Sequence, residues 1–213
     1  MDLACAPHGA APLSVAVRVA PASDEHREGL LALLGEVSNG CFCGWWHHDG
    51  DDYEWQARCN LEPDLNRKTF GEALAAGDDR ARGVVALDGD RLVGWLKLAP
   101  ATRMGKLYGR RVYRTLSCFD GDRDGIYVIG CVMVAPDRRR QGIAHALVRG
   151  AVEIARGWGA RAIEATPRRP REAVRDDEHW LGPPSVFEEA GFAEIDGPEP
   201  YPVMRIELDG PER

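Results

Sequence analysis

The chain has 213 residues, 44% of them apolar, with 27 basic and 34 acidic side chains and a net charge of −7. That length suits one domain with a proper core, the acidic balance argues against a nucleic-acid partner, and no apolar run reaches the roughly 18 residues that a membrane span requires. Six cysteines without a regular framework fit free thiols in a reducing compartment, so a cytoplasmic location is expected and a disulfide scaffold is not.

Residues 1–13 are rich in small residues and proline and lack a basic start followed by an apolar block, so they read as a flexible tail ahead of a single domain over 14–213. Ser14 to Ala20 alternates Val15, Val17 and Val19 with Ala16 and Arg18, which predicts a first strand. Asp24-Glu25 then opens a helix with Leu30, Leu31, Leu33, Leu34 and Val37 on its apolar face and Ser23 as its cap. An insertion over about 40–68 carries Cys41-Phe-Cys43-Gly-Trp45-Trp46-His47-His48-Asp49, then Asp51, Asp52, Glu54, Trp55 and Cys59. Either these cysteines and tryptophans anchor a loop over the core, or Cys41, Cys43, His47 or His48, and Cys59 hold zinc; the Cys-x-Cys spacing suits zinc poorly, and no metal is expected. Thr69 to Ala76 reads as a second helix, and Gly83 to Leu87, the turn Asp88-Gly89-Asp90 and Leu92 to Leu98 read as a hairpin. A second insertion, 101–124, is basic in its middle (Arg103, Lys106, Arg110, Arg111, Arg114), which makes it either a solvated face or a site for anions.

Ile126 to Ala135 is an unbroken, largely β-branched run, read as a strand buried on both faces and ended by Pro136. After Arg138-Arg139-Arg140-Gln141-Gly142-Ile143-Ala144, the residues Ile143, Leu147, Ala151, Ile154 and Trp158 recur at helical spacing, and Gly157 and Gly159 mark the helix end. Ala160 to Thr166 is the next strand, closed by Pro167. A third insertion, 168–184, brings His179-Trp180 toward the same cleft; Ser185 to Ala190 is a short helix, and Phe192 to Ile195 and Val203 to Leu208 are the last strands.

The chemistry lies in the turn between the 126–135 strand and its helix. Several N–H groups of Arg139 to Ala144 have no intrahelical partner there and sum with the helix dipole into a pocket for an anion, while Gly142 lets the main chain approach a bulky pyrophosphate. The pattern Val134-x-Pro136, then Arg139-x-x-Gly142-x-Ala144, resembles the acyl-CoA signature of the GCN5-related N-acetyltransferase (GNAT) superfamily, and Phe187-Glu-Glu-Ala-Gly191-Phe192 resembles that family's second motif. A nucleotide-type phosphate loop, which needs Gly-Lys-Ser/Thr, is absent.

The resemblance implies an α/β (α+β) fold with a mixed central sheet of about six to seven strands flanked by helices. It also implies an N-acetyltransferase that passes an acetyl group from acetyl-CoA to a primary amine of a small molecule or protein by direct attack. Cofactor contacts then fall on Val132, Met133, Val134, Arg139, Arg140, Gln141, Gly142, Ile143, Ala144 and Ser185, with Arg138 or Arg140 at the ribose phosphate and Ser185 open to a second role as helix cap. The Val134 N–H is the candidate oxyanion donor, and Trp45 and Trp46, with Trp55, form an aromatic acceptor wall suited to an amine. The family's usual glutamate is replaced by Val128 and its usual tyrosine by Phe187. Glu164 is therefore the candidate base and an acceptor contact, or else a carboxylate paired with an arginine; Tyr127 is one candidate acid, beside Ser185, Cys131 and water. The same two departures support a competing reading, a non-catalytic acyl-CoA-binding or regulatory module. No membrane or nucleic-acid partner is expected; a homodimer is compatible with the resemblance, and no apolar stripe obliges one.

Overall fold

The apolar runs become seven strands: β1 Arg18–Pro21, β2 Gly83–Asp88, β3 Arg91–Pro100, β4 Ile126–Val134, β5 Ala162–Ala165, β6 Ala193–Asp196 and β7 Val203–Glu207. They form one mixed sheet in the order β1-β2-β3-β4-β5-β7-β6. Every neighbouring pair is antiparallel except β4 and β5, which run parallel. This computed structural model describes residues 17–172, 174, 175 and 178–208; the tail 1–13 and the start of the predicted first strand lie outside them.

A parallel neighbour needs a crossover, and α5, Ile143–Gly157, supplies it. Its face of Ile143, Leu147, Val148, Ala151 and Val152 is buried against Val84, Ala86, Leu96, Leu98 and Ile129. The opposite face of the sheet is covered by α1, Arg27–Val37, and α3, Pro63–Ala75, whose Leu30, Leu34, Phe70 and Leu74 pack with Trp95, Val128 and Trp46.

Two elements differ from the sequence reading. The acidic stretch after His48 is a helix, α2, Asp52–Leu61, started by a capping box in which Asp51 Oδ1 accepts the Glu54 N–H (2.8 Å) and Glu54 Oε2 accepts the Asp51 N–H (3.1 Å). The predicted helix over 69–76 begins earlier, at Pro63, where a missing N–H costs nothing in the first turn. The 101–124 insertion contains one short helix, α4, Gly105–Tyr108, and α6 spans Pro184–Glu188, so that Ser185 sits inside that helix and Pro183 takes the cap position.

The centre of the sheet is irregular where function is expected. The β3–β4 register shifts between Leu96 and Leu98, which leaves Gly130 and Cys131 in a bulge opposite Lys97. A side chain at Gly130 would place its Cβ 2.8 Å from Trp46 Nε1 and 3.0 Å from Lys97 Cγ, so the bare backbone is what lets the 44–47 turn close onto the strand.

Candidate active site

Strands β4 and β5 pair only as far as Ile129 and Ala165, and beyond that point they part. The Ala135 N–H bonds the Val93 carbonyl on β3 (2.9 Å), so strand alternation turns the N–H groups of Val132 and Val134 the other way, into the gap. At the far side of the gap, Gly142 caps α5 at φ +81°, and Arg140 also lies in the left-handed region at +60°. The first helical bond is Ala146 N–H to the Gly142 carbonyl (3.0 Å), so the N–H groups of Gly142 to His145 have no intrahelical partner and, with the helix dipole, make this end positive.

The gap is a cleft of about 490 Å³ lined by Val132, Met133, Val134, Arg139, Arg140, Gly142, Ile143, Ala144 and Ser185, nine of the ten residues assigned to the cofactor from sequence. Gln141 lies apart from them, its amide turned back to the Asp137 carbonyl (3.2 Å) and toward Arg138. Arg138 borders the cleft but is ion-paired with Asp88. Arg139 Nε reaches back to the Val134 carbonyl (3.4 Å), and His145 meets Glu189 after α6 at 3.1 Å, which ties the two sides of the cleft together. The 178–183 segment closes the third side: the Trp180 carbonyl accepts the Val132 N–H at 2.8 Å.

A second cavity, about 350 Å³, adjoins this cleft and shares walls with it at Val37, Met133 and Trp180. Four indoles enclose it. Trp45 and Trp46 meet edge to face at 4.8 Å between centroids, Trp180 lies 5.8 Å from Trp46, and Trp55 stands on the α2 side. Each indole N–H that the structure pairs has a specific acceptor: Trp46 to Cys131 Sγ (3.2 Å), Trp95 behind it to Cys43 Sγ (3.2 Å), and Trp45 to Asp52 Oδ1 (3.1 Å). Trp45, Trp46, Asp52 and Arg110 border both this chamber and a wider surface basin. Sequence reasoning found Trp45, Trp46 and Trp55; it missed Cys41 and Arg110, which also line the chamber.

Glu164 and Tyr127 border neither cavity. Glu164 is fully buried in β5; its Oε2 accepts from Arg123 (2.5 Å) and the Tyr108 hydroxyl (3.0 Å), and its Oε1 from Arg205 Nη2 (2.5 Å) and Nε (3.1 Å). That is the paired-carboxylate arrangement, the other of the two readings open in the sequence. Burial and the Glu164 charge push the Tyr108 hydroxyl up from its ordinary range. Tyr127 packs on the α5 face against Trp158 (5.7 Å), its hydroxyl accepting from Arg82 (3.2 Å). Phe187 is fully buried 5.5 Å from Phe192.

Lys97 is wholly buried on β3, its Nζ donating to the carbonyls of Asp79 (2.6 Å) and Arg80 (3.0 Å), and burial lowers its pKa to about 8. Burial and Lys97 together hold His47 near 3. The cysteines divide into Cys41 with Cys59 and Cys43 with Cys131, and among the described residues no three His, Cys, Asp or Glu side chains cluster as metal ligands.

A family model described as the Acetyltransferase (GNAT) family matches residues 38–176. Similar solved structures include a GCN5-related N-acetyltransferase from Kribbella flavida, 19% identical with a TM-score of 0.53 over 90% of this chain and 98% of that one. Another is the GNAT domain of S. lividans PAT, 16% identical with a TM-score of 0.53 over 90% of each chain. A third is the PaiA N-acetyltransferase from Thermoplasma acidophilum in complex with coenzyme A, 12% identical with a TM-score of 0.52 over 91% of this chain and 99% of that one. No curated protein sequence matches the chain. The solved structures share its fold.

Proposed function

The chain belongs to the GNAT acetyltransferase family, and on that premise we propose that it transfers the acetyl group of acetyl-CoA to a primary amine by direct attack. The observation that carries the reading is the adjacency of two cavities: a cleft ending at the first turn of α5, whose N–H groups have no intrahelical partner, and an indole-walled chamber that shares Val37, Met133 and Trp180 with it. The cleft suits coenzyme A chemically. The N–H groups ahead of Ala146, with Gly142 holding its left-handed turn, receive the pyrophosphate, and Arg139 and Arg140 add positive charge beside them. Acetyl-CoA supplies an activated thioester.

The chain's own residues do the rest. The Val134 N–H, aimed into the gap, offers a fixed donor to an oxyanion. The Val132 N–H is held by the Trp180 carbonyl, so seating an extended cofactor arm along β4 displaces that segment. Trp45, Trp46, Trp55 and Trp180 exclude water and attract an ammonium group by its charge. Orientation of the amine against the thioester provides much of the acceleration without a proton donor at Phe187.

The experiment is thiol release from acetyl-CoA on addition of primary amines, with Gly142→Glu as control. Amine-dependent release that the control loses supports transfer. Tight acetyl-CoA binding without release from any amine supports the competing reading of a binding module, which draws on the apolar Val128 and Phe187.

A further inference from the structure

The indole-walled chamber adjoins two other spaces. It shares Trp45, Trp46, Asp52 and Arg110 with the surface basin and Val37, Met133 and Trp180 with the cofactor cleft, while no residue lines both basin and cleft. Its lining carries one carboxylate, Asp52, and one guanidinium, Arg110, both where it meets the basin. Asp52 is exposed, and its Oδ1 accepts the Trp45 indole N–H (3.1 Å). Among the described residues the Arg110 guanidinium has neither a hydrogen-bond acceptor nor an ion-pair partner. Arg82, Arg123, Arg169 and Arg205, by contrast, each face a carboxylate.

Aromatic rings hold this guanidinium in place. Its carbon stands 5.9 Å from the Trp45 ring centroid, 5.6 Å from Tyr113 and 5.7 Å from Tyr201. The backbone is fixed as well: the Arg110 carbonyl accepts the N–H groups of Tyr113 (2.9 Å) and Arg114 (3.0 Å), and Tyr113 is fully buried. A planar guanidinium lying over rings keeps its N–H edges oriented, and a carboxylate meets such an edge through two parallel hydrogen bonds. Arg110 is half-buried, and a charge partly removed from water calls for a counter-ion. Lys106 adds positive charge at the same indole, 5.4 Å from its centroid, with its Nζ donating to the carbonyls of His48 (3.1 Å) and Gly50 (2.7 Å). Arg103, Arg111 and Arg114 of the same basic stretch are exposed, so the anion-site reading of 101–124 comes to rest on Arg110.

Resting on the acetyl-transfer reading above, we propose that the acceptor is a free amino acid with an apolar side chain, its carboxylate held by Arg110 where the chamber meets the basin and its amino group directed to the cleft at Met133. The chamber's size and walls set the rest. At about 350 Å³ it lies at the lower end of small-molecule sites, which run from about 300 to 1,000 Å³, and its four indoles, Val37 and Met133 suit an aliphatic or aromatic side chain. Met133 adjoins Val134, the proposed oxyanion donor, so an amino group at that wall is beside the strand along which the thioester is to lie. The amine nitrogen bonds the acetyl carbon and the carbon–sulfur bond of the thioester breaks. Of the two protons that the ammonium gives up, one goes to the departing thiolate and the other to solvent. The products are an N-acetyl amino acid, which keeps its carboxylate, a free thiol and one proton.

The test compares L-phenylalanine with 2-phenylethylamine, the same molecule without its carboxylate, and L-leucine with 3-methylbutylamine. Thiol release from acetyl-CoA is followed in the wild type, Arg110→Gln and Arg110→Lys, and calorimetry of acetyl-CoA checks that each variant keeps its cofactor site. A charge-assisted contact predicts that the wild type favours each amino acid over its amine by about 10- to 150-fold in kcat/KM, and that Arg110→Gln removes most of that preference. Lysine, a point charge without the planar fork, should retain part of it. 3-Phenylpropionate, which has the carboxylate and no amine, should compete with 2-phenylethylamine in the wild type at least tenfold more strongly than in Arg110→Gln. The wild-type preference and inhibition read the proposal without any variant. Equal kcat/KM for amino acid and amine in the wild type, or a preference that survives in Arg110→Gln, overturns the amino-acid acceptor and leaves acetyl transfer standing. Acetyl-CoA binding without thiol release from any amine or amino acid overturns the transfer reading and the acceptor with it.

Discussion

Replacing Glu164 with glutamine tests whether this carboxylate is an internal counter-ion. The side chain is completely buried and engages Arg123 at 2.5 Å, Arg205 at 2.5 Å and Tyr108 at 3.0 Å, the two arginine side chains being only 15% and 20% exposed. Glutamine keeps the shape and can accept at one oxygen, but it removes the charge that two guanidinium groups share and puts an NH₂ against one of them. Breaking a buried pair by removing one partner costs about 3–5 kcal/mol. In a chain of this size that corresponds to a melting point lower by roughly 6–20 °C. Urea unfolding, followed by tryptophan fluorescence, should show the midpoint fall with an unchanged slope. The folded variant should keep the wild-type pH profile of turnover. A loss of less than about 1 kcal/mol combined with a collapsed acid limb of kcat would refute this reasoning and return Glu164 to the role of base.

Three further outcomes are expected. Gly130→Ala should destabilise the protein by about 1–3 kcal/mol in chemical denaturation, because its Cβ meets Trp46 Nε1 at 2.8 Å; a neutral effect would mean that the bulge yields easily. Lys97, held near pKa 8 by burial, loses its proton earlier in the folded than in the unfolded chain, so its burial penalty is fully present below pH 8 and fades as pH rises toward its ordinary value of 10.5. Wild-type stability should therefore gain up to about 1.4 kcal/mol per pH unit across that window relative to Lys97→Met, and parallel curves would contradict the assignment. Trp180→Ala keeps the carbonyl that bonds the Val132 N–H but removes one of the four indoles of the chamber, so KM for the amine should rise at least tenfold; an unchanged KM would place the amine outside the chamber.

The parts of the fold written in local chemistry were legible in the sequence. The β4 run, the arginine and glycine turn and the α5 stripe each follow from periodicity and from Gly142, and with them nine of the ten residues that the sequence reading put together and that line the cleft. Helix α2 was hidden because its apolar residues, Tyr53, Trp55, Ala57, Cys59 and Leu61, alternate instead of recurring at helical spacing; the signal that could have found it is the Asp51-x-x-Glu54 capping box. The state of Glu164 depended on Arg123 and Arg205, both 41 residues away in the chain, and an acid in an apolar strand looks the same whether it is paired or free. The two thiol pairs had the same difficulty. Cys41 and Cys43 are close in sequence, yet one is influenced by Cys59 and the other by Cys131, partners that local sequence does not reveal. The bulge at Gly130 left no mark, since its cause is a tryptophan 84 residues earlier.

The most direct test of the account is calorimetric titration of acetyl-CoA and of desulpho-CoA into the wild type and Gly142→Glu. Gly142 sits at φ +81° with open space around its missing side chain, so glutamate there both strains the turn and puts a negative charge where the pyrophosphate is to bind. The account predicts micromolar binding of both ligands to the wild type, at one site per chain, and its loss in the variant. Absence of binding to the wild type, or equal binding to the variant, would contradict the assignment of the cleft.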